Sequence, residues 1–329
     1  MSSLAPAFTL SEADRRRIIE AEARVNQAKR VAARRQARMR WSLVAPSLFI
    51  IGIFGIGPLL IMVLYSFLEP GTYGGVRWEF STDAYVQFLF ERDLFDDTQL
   101  VFTNSYLLII GRSMLLALVT TVICLLLGYP TAYFMATRPP SQRNFWVFLI
   151  TLPFWTNLLI RTYAMFVILR DDGIINNALM NIGIITEPIP IMFTDYAICI
   201  GLLYAFLPLM VLPLYASLEK LDFRMVEAGF DLYASRGKVL RRIIVPLSKP
   251  GIVAGCILVF IPAIGAYVTP VLMGGGKQLM IGNMIAMQFG GARNWPFGAA
   301  AALILMVVVM IALLIYTRNS TREQAALHG

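Results

Sequence analysis

Charge is scarce in this sequence. Asp, Glu, Lys and Arg make up 15% of the 329 residues against 58% for the hydrophobic set, and the mean hydropathy is +0.68. A soluble domain carries about 25% charge, so a water-surrounded globule is excluded and the chain belongs in a bilayer. Histidine is almost missing: the single His328 lies in the tail, which excludes a histidine-based catalytic site. Cysteine is sparse and unpaired. Cys124, Cys199 and Cys256 stand alone in apolar segments without metal or redox spacing, and read as small hydrophobes. No metal site is expected, and no nucleophile with a partnering base is apparent. Asp and Glu are absent from the middle of every apolar run.

What is abundant is long apolar sequence. A hydrocarbon core needs about 20 apolar residues per helix, and six segments qualify, at 41–67, 107–136, 145–169, 196–218, 250–272 and 297–317. An even number of spans puts both termini on one side. Of the 28 basic residues, 21 fall in 1–40, 137–144, 219–249 and 318–329, and five in 68–104, 170–195 and 273–296. Cytoplasmic loops retain positive charge, so both ends and the loop 219–249 are expected in the cytoplasm. The net charge of +8 is then a topology signal rather than a sign of nucleic acid, and no nucleic-acid partner is expected. The first apolar run starts at Trp41 and is too long for a signal peptide, so residues 1–40 are expected to remain inside as a basic extension. Ser11 reads as a helix N-cap, with Glu12 and Asp14 in the first turn; lying along anionic headgroups and standing as a solvated charged tail are both open.

The stretch "EAGFDLYASRGKVLRRIIVPLSKPG", residues 227–251, is the longest charged passage in the oily second half. Val226, Phe230, Tyr233, Gly237, Leu240 and Ile244 step by 4, 3, 4, 3 and 4, one helical stripe. Glu227 and Asp231 come early and Lys238, Arg241 and Arg242 late, matching the helix dipole. Pro246 and Pro250 stop the pattern and Gly251 opens the next span. One or two short amphipathic helices held between spanning helices need a cover for the stripe. The chain's own helix ends, the lipid surface and another protein are all open on these grounds.

The passage resembles the EAA loop of ATP-binding-cassette (ABC) importer permeases: Glu227 and Ala228 match, Gly229 stands at the second Ala, and Ile243, Val245 and Pro246 fill the end of the pattern. Tyr233 stands where the family has Gly, a position that ends the first short helix in a left-handed turn. Either Gly237 takes over the break or the first helix runs on. The segments "LPFWTNLLIRTYA", "LPLMVLPLYASLEKLD", "PLSKPGIVAG", "FIPAIGAYVTPVLMGGGKQLMIGN" and "NWPFGAA" occur in the order seen in the spermidine/putrescine permease group, over most of 41–317. The resemblance implies an all-α membrane protein with six transmembrane helices and the ABC type I importer permease fold, in a bacterial inner membrane. It implies a cytoplasmic ATPase dimer, a second, usually non-identical permease and an external solute-binding protein as partners, besides the bilayer. It also implies that Glu227, Ala228, Gly229, Asp231, Tyr233, Ala234, Ser235, Gly237, Ile243 and Pro246 form the ATPase-coupling element. ATP with Mg would be used by the partners. In "GGGKQ", Gln278 replaces the Ser or Thr of a phosphate loop, so this chain binds no cofactor of its own.

A polyamine is a flexible polycation, and its path should offer carboxylates and aromatic faces. Trp155 and Tyr163, spaced i and i+8, are candidates for that path, with Asn157, Asp195, Tyr204, Tyr267 and Asn283; lipid-belt or packing roles remain open for the aromatics. Arg161 lies within a span and needs a partner, for which Asp195 is the candidate; snorkelling and an N-cap role are the alternatives, and Arg112 is expected to snorkel. The acidic excess of 68–104, which includes Glu69, Glu79, Asp83, Glu91, Asp93, Asp96 and Asp97, reads as a cation-attracting surface or an ordinary solvated loop. The Gly-rich stretch from Gly274 is too broken to span and reads as an outer gate or receptor-facing surface. A permease for an opine or another amine compound is the alternative function, and an ion-coupled secondary transporter a more distant one.

Overall fold

The fold is described from a computed structural model, for residues 36, 39, 41–92 and 100–327. The expectations for 1–40, apart from helical positions 36 and 39, and for His328 lie outside the described residues. The chain divides into two compact units, one ending at Met62 and one beginning at Val63. Helix α1 (Trp41–Tyr65) includes an 18-residue stretch with a mean hydropathy of 2.5 and contains a π turn at Gly52–Ile56.

Strands β1 (Leu68–Pro70) and β2 (Val76–Phe80), the turn of helix α2 (Asp83–Val86), and strands β3 (Phe90–Arg92) and β4 (Leu100–Phe102) follow. Two antiparallel hairpins thus occupy a region read as charged loop. Val76, Trp78 and Phe80 alternate with Arg77 and Glu79, the period of a strand, and the Phe80 ring stacks on Phe67 with centroids 5.9 Å apart. Asp93, Asp96 and Asp97 lie outside the described residues.

The rest is helical: α3 (Ser105–Ala136), α4 (Pro140–Thr151), α5 (Leu158–Leu169), α6 (Ile174–Asn181), α7 (Asp195–Leu218), α8 (Arg224–Asp231), α9 (Arg236–Leu247), α10 (Lys249–Ile264), α11 (Val268–Gly274), α12 (Ile281–Phe289) and α13 (Trp295–Leu327). Among the described residues four helices are long and apolar enough to cross a bilayer: α1, α3, α7 and the Trp295–Leu314 part of α13. Two bent pairs bring the number to six when each is taken as one span.

Two of the expected spans are interrupted. Segment 145–169 breaks into Pro140–Trp155 and Leu158–Asn181 at 90°. Pro153 sits in a 3-10 turn, Thr156 is extended, and the Asn157 side chain accepts the Leu159 N–H at 2.8 Å to start α5 afresh. Segment 250–272 stops at Ile264, two residues past Pro262, and restarts at Val268. The end of α13 runs on to Leu327, through the stretch expected as a tail.

Helices α3, α7 and α10 form the centre of the second unit. Cys124, Met210, Leu214 and Val259 are buried between them. Close approach depends on small residues. A Cβ on Gly251 would lie 2.5 Å from Ser217 Cβ and 2.7 Å from the Pro213 carbonyl oxygen, so no larger residue fits that seam. Hydroxyls in α3 bond back to the preceding turn, Ser113 to the Ile109 carbonyl and Thr121 to that of Ala117, both at 2.7 Å, which satisfies them in apolar surroundings. The Gly-rich stretch follows α11 and folds as a 3-10 turn at Gly275–Lys277 and α12, whose Ile281 and Met284 pack in a core with Ile264, Phe297 and Ala300; Met273 of α11 packs instead with Leu169, Met192 and Ala197.

Candidate coupling element and solute pathway

The charged passage folds as two helices. Asp222 Oδ1 accepts the Arg224 N–H at 3.1 Å where α8 begins, and Glu227 lies in the first turn, favourable to the helix dipole. One face of α8 is buried through Val226 and Gly229. Gly229 stands where the family pattern has Ala, and Ile243 of α9 packs against it: a Cβ there would sit 2.7 Å from Ile243 Cδ1, so an Ala would require that terminal methyl to shift. The other face leaves Glu227, Ala228, Phe230, Asp231, Leu232 and Tyr233 exposed.

The end of α8 settles the Tyr233 question against both expectations. Tyr233 itself adopts the left-handed conformation, with φ 57°. Its N–H donates to the Phe230 carbonyl at 2.9 Å and the Ala234 N–H to the Gly229 carbonyl at 3.1 Å, the 5→2 and 6→1 pair of a Schellman motif. Gly237 lies inside α9, so it does not make the break, and α8 does not run on. The Tyr233 side chain is 98% exposed, so no packing within the chain offsets the strain.

The single stripe is corrected too. The left-handed turn resets helical phase, and the buried set becomes Val226, Gly229, Val239 and Ile244, whereas Phe230, Tyr233, Gly237 and Leu240 are exposed. Helix α9 begins at Ser235, contains a π turn at Leu240–Ile244 and ends with Pro246 in its last turn. Ala234 and Ile243 are half-buried against the core. At Ser248 the chain bends by 69° into α10, and the Ser248 hydroxyl lies 2.9 Å from that of Tyr129 on α3. A groove of about 600 Å³ opens beside α8, bounded by Pro213, Ser217, Met225, Leu247 and Gly251.

The pathway candidates are scattered. Trp155 and Tyr163 sit on opposite sides of the 90° break, so the shared face expected from their spacing does not exist. Trp155 packs edge-on to Phe148 at 5.5 Å and Tyr163 stacks on Phe166 at 5.9 Å. Asn157 caps α5. Tyr204 and Tyr267 are partly exposed, the latter where α11 begins. Asn283 is buried, its Oδ1 accepting the Met280 N–H at 2.6 Å. Among the described residues no hydrogen bond or ring contact joins any two of the seven candidates.

Asp195 opens α7 beside Thr194, whose hydroxyl caps the helix by accepting the Ala197 N–H at 3.3 Å. Its partner is Arg112 of α3, not Arg161: Arg112 Nη2 donates to Asp195 Oδ1 and to Gln278 Oε1. Arg112 is therefore paired rather than snorkelling. Arg161 is only 8% exposed, its Nε and Nη1 lack partners among the described residues, and its guanidinium carbon lies 5.7 Å from the centre of the Phe154 ring. The Arg112–Asp195–Gln278 group escapes a reading of sequence because 83 and 166 residues separate its members from Arg112. The one available signal was that two opposite charges each stand near a span end. No group of three or more His, Cys, Asp or Glu among the described residues is arranged to hold a metal.

Comparison with known proteins matches residues 126–323 to the family described as "Binding-protein-dependent transport system inner membrane component". The "Spermidine/putrescine transport system permease protein PotB" of Salmonella typhimurium (strain SL1344) is 44% identical over 263 residues, covering 80% of this chain and 87% of that protein. The protein of the same description from Escherichia coli (strain K12) is 43% identical over 263 residues, covering 80% and 91%. The "Inner membrane ABC transporter permease protein YdcU" of Escherichia coli (strain K12) is 30% identical over 224 residues, covering 64% and 71%. Among solved structures, a bacterial alginate ABC transporter in complex with an alginate pentasaccharide-bound periplasmic protein aligns with a TM-score of 0.69 at 15% identity, covering 88% of this chain and 96% of that one. That likeness concerns the fold alone, which is of the type I importer permease kind.

Proposed function

Because the chain belongs to the family of binding-protein-dependent transport system inner membrane components, we propose that it is the membrane-spanning permease of an ATP-driven importer for polyamines such as spermidine and putrescine. The observation that carries the reading is the two-faced helix α8. Its buried face is wedged on Ile243 of α9, and its exposed face offers acidic and apolar side chains for a groove on another protein. A helix so held transmits force: what grips the outer face moves α9, and α9 continues into the membrane helix α10 after one bend.

In this reading a dimer of ATPase subunits, using ATP and Mg, grips Glu227, Ala228, Asp231, Tyr233 and Ser235. A second permease completes the pathway and a solute-binding protein delivers the cargo outside. Gly229, Ala234, Gly237, Ile243 and Pro246 shape the lever rather than touch the ATPase. The polyamine part is supported by the likeness to the spermidine/putrescine permeases along 80% of the chain. The excess of basic residues in 1–40 and 219–249 supports a cytoplasmic placing of both termini and of the lever.

The test is reconstitution with its ATPase, second permease and solute-binding protein, identified by co-purification with the chain. ATP-dependent uptake of spermidine or putrescine is expected. Uptake that follows an ion gradient, with no ATPase travelling with the purified chain, sinks the reading in favour of a secondary transporter. A panel of amines offered to the binding protein identifies the preferred cargo.

A further inference from the structure

Among the described residues, Asp195 is the only carboxylate within the four apolar stretches long enough to cross a bilayer, and Arg112 holds it incompletely. A fork-to-fork arginine–carboxylate pair uses two parallel hydrogen bonds. Here Nη2 reaches both Asp195 Oδ1 and Gln278 Oε1, while the buried Nε of Arg112 has no partner among the described residues. The side chains are 26% exposed at Arg112 and 49% at Asp195. An ion pair so open to water is weak and easily screened, so a second cation can compete for the carboxylate.

The third member gives such competition a consequence. Gln278 lies two residues before Met280, and Met280 is fully buried with Leu116, Ile198 and Leu202. Arg112 is one turn from Leu116 on α3, and Asp195 one turn from Ile198 on α7, so the ionic group lies one helical turn from this apolar cluster on both helices, and the cluster could serve as a plug. Gln278 ties the α11–α12 connection to it.

We propose that Asp195 is the carboxylate that receives an ammonium group of the incoming polyamine, that Arg112 is the resident cation it displaces, and that the release of Gln278 frees Met280 to leave the plug. The proposal rests on the polyamine reading above. It makes Arg112 a positioning residue and the exchange of one cation for another the signal that cargo has arrived.

The experiment uses the whole transporter in proteoliposomes with spermidine as probe, reading both uptake and ATP hydrolysis. A wild-type complex that moves no polyamine defeats the substrate reading itself, before any variant is compared. Asp195→Asn keeps the side-chain shape; it is expected to assemble with the ATPase and to lower uptake about tenfold or more. Arg112→Gln opens the latch without cargo, and ATP hydrolysis in the absence of spermidine is expected to rise about fivefold. The reversed pair, Arg112→Asp with Asp195→Arg, rebuilds an ion pair between α3 and α7 and is expected to assemble yet stay at the low uptake of Asp195→Asn. Restored uptake in the reversed pair, undiminished uptake in Asp195→Asn, or unchanged hydrolysis in Arg112→Gln overturns the proposal. Failure of Asp195→Asn to assemble does so as well, because the group would then be a structural clip.

Discussion

Tyr233 holds a left-handed backbone with its ring in open surroundings, a conformation that costs an L residue about 1–2 kcal/mol. The two Schellman hydrogen bonds and the wedge of α8 on α9 hold it there. Tyr233→Gly should therefore raise the thermal stability of the purified complex slightly, by about 0.5–1 kcal/mol, since glycine takes this conformation freely but loses more chain entropy on folding. Tyr233→Val should lower it by about 1–2 kcal/mol, since a branched side chain resists the same backbone. Denaturation curves of the two variants, read together, check the sign of each. The sequence had marked this position as a departure, yet it offered two escapes and the chain takes neither. A departure at one residue was legible; the contact of Ile243 with Gly229 was not, because it reaches across a turn whose geometry is itself the unknown. Arg112 and Asp195 were likewise visible as costly charges near span ends, but their pairing needed the packing of α3 on α7.

At the level of elements, α8 and α12 are the pieces whose removal from their seats should show. Glu227 lies on the exposed face of α8, so Glu227→Arg is expected to leave insertion and assembly intact while abolishing cargo-stimulated ATP hydrolysis. The helix-dipole contribution it forfeits is only about 0.3–1 kcal/mol, too small to unfold the region, and normal stimulation in the assembled variant would contradict the gripping role. Helix α12 hangs from α3 by the Ile281 N–H donated to Ser113 Oγ at 2.8 Å, with both residues buried. Ser113→Ala leaves that N–H without its acceptor, at a cost of about 1–3 kcal/mol. Faster hydrogen exchange through Ile281–Phe289 than through α7 is the expected result. Elements with strong apolar runs were readable nearly to their ends: 107–136 became Ser105–Ala136, and 196–218 became Asp195–Leu218. Breaks inside runs were not. Hydropathy averages over the bend at Thr156–Asn157, where one extended residue and one cap turn the chain by 90°.

For the molecule as a whole, the uneven placement of Lys and Arg makes a prediction about sidedness. A cysteine placed at Ser235, an exposed position between α8 and α9, should react with a membrane-impermeant maleimide only after cells are opened. One placed at Asp172, exposed between α5 and α6, should react in intact spheroplasts. The opposite pattern would invert the topology. The long apolar runs and the charged passage that interrupts them come from composition and spacing, which act at long wavelength. The strand Val76–Phe80 comes from a short alternation that charge masks, and its pairing with Leu68–Pro70, like that of Phe90–Arg92 with Leu100–Phe102, carries no comparable signal. The 69° elbow at Ser248 gives the lever a mechanical ratio. Helix α9 spans about 18 Å and α10 about 24 Å at 1.5 Å per residue, so under the proposed coupling role, with the elbow as pivot, the two arms would form a bell crank in which the far end of α10 travels about a third further than the stroke applied to α9.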